Sequence, residues 1–479
     1  MSLVIERLHS RFRSETPLAP ARCEAWQSML AAEDGDALAA GLTRDEEWLL
    51  IRRLPLAMRW RADAGDAEIG LHWRQALRQA LEQAMSRPDD AGIIRYASRR
   101  EAVTDLLYRS ALGERERQWA WQRMGLIARG ELGAADALAA GVAILLREPE
   151  LVWPVLHRIV AAEAATAALT ALLRALPAAS WQRLLHASPR TAPYAGIVAS
   201  PAATAAAGAN APALQNDAAL PTSGEAHDLL NWAAARPHFA VRHADTLAIL
   251  IAALAWPAIG TVGSDLRPRV AALVERLAVL TGKRPARDRD AGATGAPAAA
   301  LPAITAPAMR DEAALPRLPA LPGQFEWQQT RWAGALFWLG RLSATDMLAW
   351  LESAQHANAL PLLLRALAET LGVPADDAAL AAFCGGSVPQ VEPPPAFTAR
   401  AETQVAHWSN WLDDAAPELP EPRMAAVCQR SGRLRCEPGW IELHLPLASV
   451  DTTIRRLGLD LDPGWLPWLG CVLRIHYDE

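Results

Sequence analysis

Ile441-Glu-Leu-His-Leu-Pro-Leu447 and Cys471-Val-Leu-Arg-Ile-His-Tyr477 set the last part of the chain apart from everything before them. In the first, Ile441, Leu443, Leu445 and Leu447 alternate with Glu442, His444 and Pro446. That is the period of a strand with one buried face, and Pro446 marks it as an edge strand. Between the two stretches, Ser449 or Asp451 can cap a short helix carrying Ile454 and Leu457, and Asp462-Pro-Gly464 is a turn. Strand, helix, turn and closing strand predict a small α/β cap over residues 399–479.

Upstream the apolar period is helical. Residues 325–386 carry Trp327, Trp332, Leu336, Phe337, Leu339 and Leu342, then Leu362 to Leu371, and read as a buried helical unit. In 225–282, Leu247, Leu250, Ile251 and Leu254 fall at i, i+3, i+4 and i+7, and Val270, Leu273, Val274, Leu277 and Leu280 continue the pattern. The first block, 1–186, opens with an expected strand, Trp48-Leu-Leu-Ile-Arg-Arg-Leu54, whose alternation continues through Leu56, Met58 and Trp60. Asp66 is the expected N-cap of a helix with the stripe Ile69, Trp73, Ala76, Leu77, Ala80, Leu81 and Ala84. From about Arg99 to Leu185 short Ala-rich helices are punctuated by Gly113, Gly130, Gly133, Pro149 and Pro177, the pattern of helical hairpins.

The Ala/Pro-rich stretches 187–224 and 283–324, and the shorter 387–398, lack periodic apolar residues and read as linkers. The expected fold class is mainly α. It is a multi-domain chain of helical hairpins and bundles, with a small α/β element near the N-terminus and a strand–helix–strand cap at the end.

Composition narrows the function. The chain has 479 residues, a net charge of −6, 51% hydrophobic and 21% charged residues. Mild acidity with dispersed Arg gives no footprint for nucleic acid. Five scattered cysteines argue against a disulfide scaffold and for a reducing, cytoplasmic setting. The first residues carry no apolar signal-peptide core. The longest apolar run, Thr246 to Ile259, is about 14 residues and contains Pro257, too short to span a bilayer.

Chemistry-bearing motifs are sparse. Thr281-Gly-Lys-Arg284 lacks the upstream Gly and the following Ser/Thr of a phosphate loop. His238 and His243, near Asp228 and Asp245, are five residues apart and share no helix face well. Cys428, Cys436 and His444 lack the tight Cys spacing of structural zinc. Asp376-Asp377, Asp413-Asp414 and Asp460 with Asp462 read as caps, turns and solvated faces. No catalytic residue, cofactor or metal is expected, and the reading is of a non-enzymatic protein. The 19 Trp, set against 6 Phe and 4 Tyr, are expected mainly in the core. Trp440 and the turn Trp465-Leu466-Pro467-Trp468 are the candidate protein-interaction residues, because Trp is enriched at binding hot spots.

Three segments together resemble the tape-measure proteins of bacterial contractile injection systems, the phage-tail-like particles. They are Trp48-Leu-Leu-Ile-Arg-Arg-Leu-Pro-Leu56 with the helix after it, Thr330-Arg-Trp-Ala-Gly-Ala-Leu-Phe-Trp-Leu-Gly-Arg-Leu342 with Leu360–Leu371 as its neighbour, and the ending from Trp440 through Leu466-Pro-Trp468 to Ile475-His-Tyr477. The resemblance implies a structural or assembly protein with tube, baseplate or other particle components as partners. A cytoplasmic helical scaffold or chaperone-like adaptor for one protein partner is the other reading. A single helix of this length would span roughly 720 Å, but 35 Pro preclude one continuous rod.

Overall fold

The structure is a computed structural model, and it describes residues 12–13, 19–32, 47–61, 64–86, 92–161, 165–199, 224–255, 266–280, 326–353 and 359–478. Among these, helices dominate. No helix among the described residues is long and apolar enough to cross a membrane. The chain divides into two compact units, 1–141 and 142–479, and the division falls inside the expected block 1–186.

The first unit contains α1 (Pro20–Ala32), β1 (Trp48–Ile51), α2 (Asp66–Met85), β2 (Ile93–Tyr96), α3 (Arg99–Ala111) and α4 (Gln118–Arg123); α5 (Ala134–Arg147) carries the division. The stripe on α2 is buried as its spacing requires: Ile69, Trp73, Leu77 and Leu81 pack with Trp26 and Leu30 of α1. Asp66 is the first helical residue rather than the cap, which is Gly65; its carboxylate instead lies in the first turn, where it complements the helix dipole. The strand from Trp48 stops at Ile51, pairing antiparallel with β2. Beyond it the alternation persists without a ladder, with Leu54, Leu56, Met58 and Trp60 laid on the α1–α2 core and the residues between them exposed.

Helix α3 starts with a capping box: Ser98 accepts from the Glu101 N–H, and the Glu101 carboxylate accepts from the Ala97 N–H at 2.6 Å. It positions Asp105, which is buried and accepts from the Tyr96 hydroxyl, Arg109 Nε at 2.7 Å, Arg117 at 3.1 Å and Trp121 Nε1 at 3.1 Å. Burial and the Asp105 charge together push the Tyr96 phenol well above its ordinary range. Asp105→Asn keeps the shape and removes the charge these donors share, and should lower the stability of this unit by about 2 kcal/mol. Urea unfolding checks it.

The second unit begins with helices α6 (Val152–Ala161), α7 (Ala165–Ala175), α8 (Ala178–Ala187), α9 (Ala192–Val198), α10 (Gly224–Ala234), α11 (Pro237–Arg242), α12 (Ala244–Ala255) and α13 (Leu266–Leu280). The periodic residues of α12 are buried, and so is everything between Thr246 and Leu254, so this helix is enclosed on all sides. The start of the 187–224 stretch is not a linker: α9 is packed against α8 and α12, with Ser188, Arg190, Thr191 and Tyr194 buried. Small residues there permit close approach, which composition alone reads as low complexity. Residues 200–223 and 281–325 lie outside the described residues, and with them most of both linker stretches and the Thr281-Gly-Lys-Arg284 motif.

The rest of this unit is built on a five-stranded sheet in the order β3-β4-β5-β7-β6. Its strands are β3 (Gln328–Thr330), β4 (Gly432–Glu437), β5 (Trp440–Pro446), β6 (Gly464–Leu466) and β7 (Cys471–Asp478). Between β3 and β4 run α14 (Phe337–Leu342), α15 (Met347–Ser353), α16 (Ala359–Thr370), α17 (Ala378–Phe383), α18 (Pro395–Ala415) and α19 (Arg423–Cys428). The residues expected as a helical unit and those expected as a cap share one core, from Ala333 through Trp338, Leu363, Phe383 and Trp408 to Leu443, Trp468 and Leu473. The break at 387–398 is therefore not a domain boundary. Arg365 of α16 donates to the carbonyls of Pro389 and Val391, tying that segment down.

The expected strand, helix and closing strand are β5, α20 (Thr452–Arg456) and β7, and Asp451 rather than Ser449 caps the helix by accepting from the Thr453 and Ile454 N–H groups. β5 is central, not an edge: it pairs antiparallel with β4 and parallel with β7. Pro446 is tolerated because it is the last residue of the strand. β4 and β5 are joined by Pro438-Gly439, with Gly439 at φ +75°, the residue pair that a tight turn of this kind favours.

Candidate functional site

The two faces of the sheet differ in chemistry. Side chains alternate along β5, so Ile441, Leu443 and Leu445 enter the core while Trp440, Glu442 and His444 project from the opposite face. On β4 the antiparallel register sets Arg433 beside His444, Arg435 beside Glu442 and Glu437 beside Trp440. On β7 the parallel register sets Arg474 beside Glu442, His476 beside His444 and Asp478 beside Pro446. The outcome is a charged sheet face whose middle is buried: Arg435, Glu437, Glu442 and His444 are all under 5% exposed.

Within this face Glu442, His444 and His476 present ligand atoms that lie within 4.8 Å of one another, and no other such group of three occurs among the described residues. His444 Nε2 and His476 Nε2 are each 3.8 Å from Glu442 Oε1. The other Glu442 oxygen, Oε2, accepts from Arg435 at 2.7 Å. His444 Nδ1 is 2.6 Å from Asp478 Oδ2, which also accepts from Arg433 at 3.0 Å. Arg435 stands 3.5 Å from Glu437, and Glu437 is paired with Arg158 of α6 at 3.3 Å. Trp327 packs edge-on to His444, ring centroids 4.6 Å apart, and beneath the Arg433 and Arg435 guanidiniums. The side chain of His476 is 40% exposed and forms the open side of the cluster.

Burial opposes protonation of His444, but its interactions with Glu442 and Asp478 outweigh burial and hold its pKa above the ordinary histidine value. His476 is held below that value by burial and by the charge of His444. Asp478 is disfavoured as an anion by its partial burial, yet His444 and Arg433 bring it below the usual carboxylate range. Chemically, two imidazole nitrogens and a carboxylate oxygen can share a proton or hold a divalent cation.

The residues singled out by sequence are distributed differently. Leu466 and Trp468 are core residues, and the Trp468 indole donates to Ser343 at 3.0 Å. Trp440 is also buried, beneath Arg474. Of the five proposed contact residues only Pro467 is exposed, with Trp465 half-buried. Strand β6 is the physical reason: its pleat turns Leu466 into the core, and the turn after it carries Trp468 in as well.

The Cys428/Cys436/His444 grouping does not form. Cys436 is opposite Ile441 on the core face of β4, while His444 projects from the other face. His243 packs against Phe239, and the His238 side chain lies outside the described residues. Asp377 caps α17, Asp413 pairs with Arg423, Asp460 accepts from Tyr477 and Asp462 pairs with Arg474. Burial pushes the Cys384, Cys428 and Cys436 thiols up to about 12 and raises Cys471 as well. Native alkylation at pH 8 should therefore modify Cys23, which is partly exposed, well before the other four; peptide mass mapping before and after denaturation checks it.

No family model, curated protein or solved structure matches the chain. His476 was missed because its significance depends on the β5–β7 register. The signal available was weaker: Glu442 and His444 on the polar side of one strand, and Arg474 and His476 alternating in another.

Proposed function

We propose that the chain is a non-enzymatic structural or assembly component of a bacterial contractile injection particle, tape-measure-like in kind, acting through protein–protein contacts with tube, baseplate or other particle components. One observation carries this reading. Residues 330–342 and the Leu466-Pro-Trp468 ending, two of the stretches that bear the resemblance, contribute to one hydrophobic core although they are distant in sequence, and residues of or beside them touch. Trp468 donates to Ser343, Arg341 donates to the Leu457 carbonyl at 3.0 Å, and Gly340 faces Pro463. These two stretches thus lie in the second unit, and the third, residues 48–56, lies in the first.

The experiment is mass spectrometry of purified particles and of assembly intermediates from cells producing this chain. Its presence at a fixed ratio to tube protein is expected, and consistent absence from both overturns the reading. Recovery from cytosol in complex with one protein, and never with particles, would favour the adaptor. Since Trp468 is a core residue, Trp468→Ala reports on folding and not on contact, and exposed Pro467 is the better position for probing contact.

A further inference from the structure

We propose that Glu442, His444 and His476 bind one divalent transition-metal ion of the zinc type, and that the ion pins β7 to β5. The donor set is one that zinc uses, two neutral imidazoles and a carboxylate, with the remaining position open to water. The spacing fits. An ion in the plane of three atoms 3.8, 3.8 and at most 4.8 Å apart can lie about 2.5 Å from each, a few tenths of an ångström beyond the ~2.0–2.2 Å of zinc–nitrogen and zinc–oxygen bonds. Small side-chain rotations close that difference.

The surroundings orient two of the three donors. Asp478 takes the Nδ1 proton of His444 and so turns the Nε2 lone pair toward Glu442 and His476, the carboxylate–histidine arrangement that supports metal ligands. Arg435 donates to Glu442 Oε2, and Oε1 is the atom 3.8 Å from both rings' Nε2. The exposed side of His476 provides an entry path. A shared proton is the competing arrangement, but 3.8 Å between Oε1 and either nitrogen exceeds the length of an N–H···O hydrogen bond. A cation bonded to all three spans that gap.

The test uses the full chain, stripped with chelator and titrated with zinc and with cobalt(II). Expected are one equivalent bound, a cobalt ligand-field spectrum of nitrogen and oxygen donors, and a higher melting temperature with metal than without. His476→Ala, at a partly exposed side chain, should weaken binding at least 100-fold while the metal-free protein melts as the metal-free wild type does. Asp478→Asn should weaken it 10- to 100-fold, and His243→Ala should leave it unchanged. If Glu442→Gln does not fold, the His476 and Asp478 variants carry the test. No uptake by the stripped wild type, or uptake that His476→Ala leaves intact, overturns the proposal.

Discussion

Gly334→Ala is expected to destabilise the second unit by about 3 kcal/mol or more, beyond the usual ~1–3 kcal/mol of overpacking. A Cβ at this position would stand 1.9 Å from the Val427 carbonyl oxygen and 3.2 Å from that of Cys428. Both are backbone atoms at the end of α19, where no side-chain rotation can relieve the clash. Nor can the turn carrying Gly334 retreat, because Ala333 N–H donates to the Arg430 carbonyl at 3.0 Å and Ala333 to Leu336 are buried. Gly340→Ala, on the next helix of the same segment, is the matched control. There a Cβ meets only Pro463 at 3.5 Å, an ordinary contact. Urea denaturation followed by tryptophan fluorescence should separate the two variants clearly; equal midpoints would show that the Gly334–Val427 approach is not a constraint.

Arg435→Met should be comparably severe, costing about 3–5 kcal/mol, because it leaves buried carboxylates without their cation. Arg435 is 1% exposed, with Glu442 at 2.7 Å and Glu437 at 3.5 Å. Glu437 retains Arg158, so the burden falls mainly on Glu442. Adding Glu442→Gln replaces that anion by a neutral amide and should recover part of the loss, which a double-mutant cycle measures directly. Full additivity of the two changes would mean that the pair does not interact energetically.

What could be read in advance followed from local periodicity. Ile69, Trp73, Leu77 and Leu81 had to share a helix face, and Ile441, Leu443 and Leu445 a strand face, and each set is buried together. What could not be read depended on register and on contacts far along the chain. β3 and β4 pair across about a hundred residues, so the expected units 325–386 and 399–479 divide a sheet that is continuous. The hairpin of β4 and β5 around Pro438-Gly439 was not read, although that residue pair is a turn signal. Trp468 illustrates the limit of composition: a Trp in a Pro/Gly-rich turn suggests a surface, but its ring fills the core while its indole N–H reaches Ser343. The histidine–glutamate cluster was half-visible, since two members lie on one strand and the third is brought beside them only by parallel pairing.

The two outermost strands of the large sheet, β3 and β6, are three residues long. Such an edge offers a visiting chain almost no ladder to extend, which is how natural sheets guard against unwanted polymerisation. Along β3 and β6 themselves an added strand would have three residues to pair with, so docking there falls to side chains and helix ends.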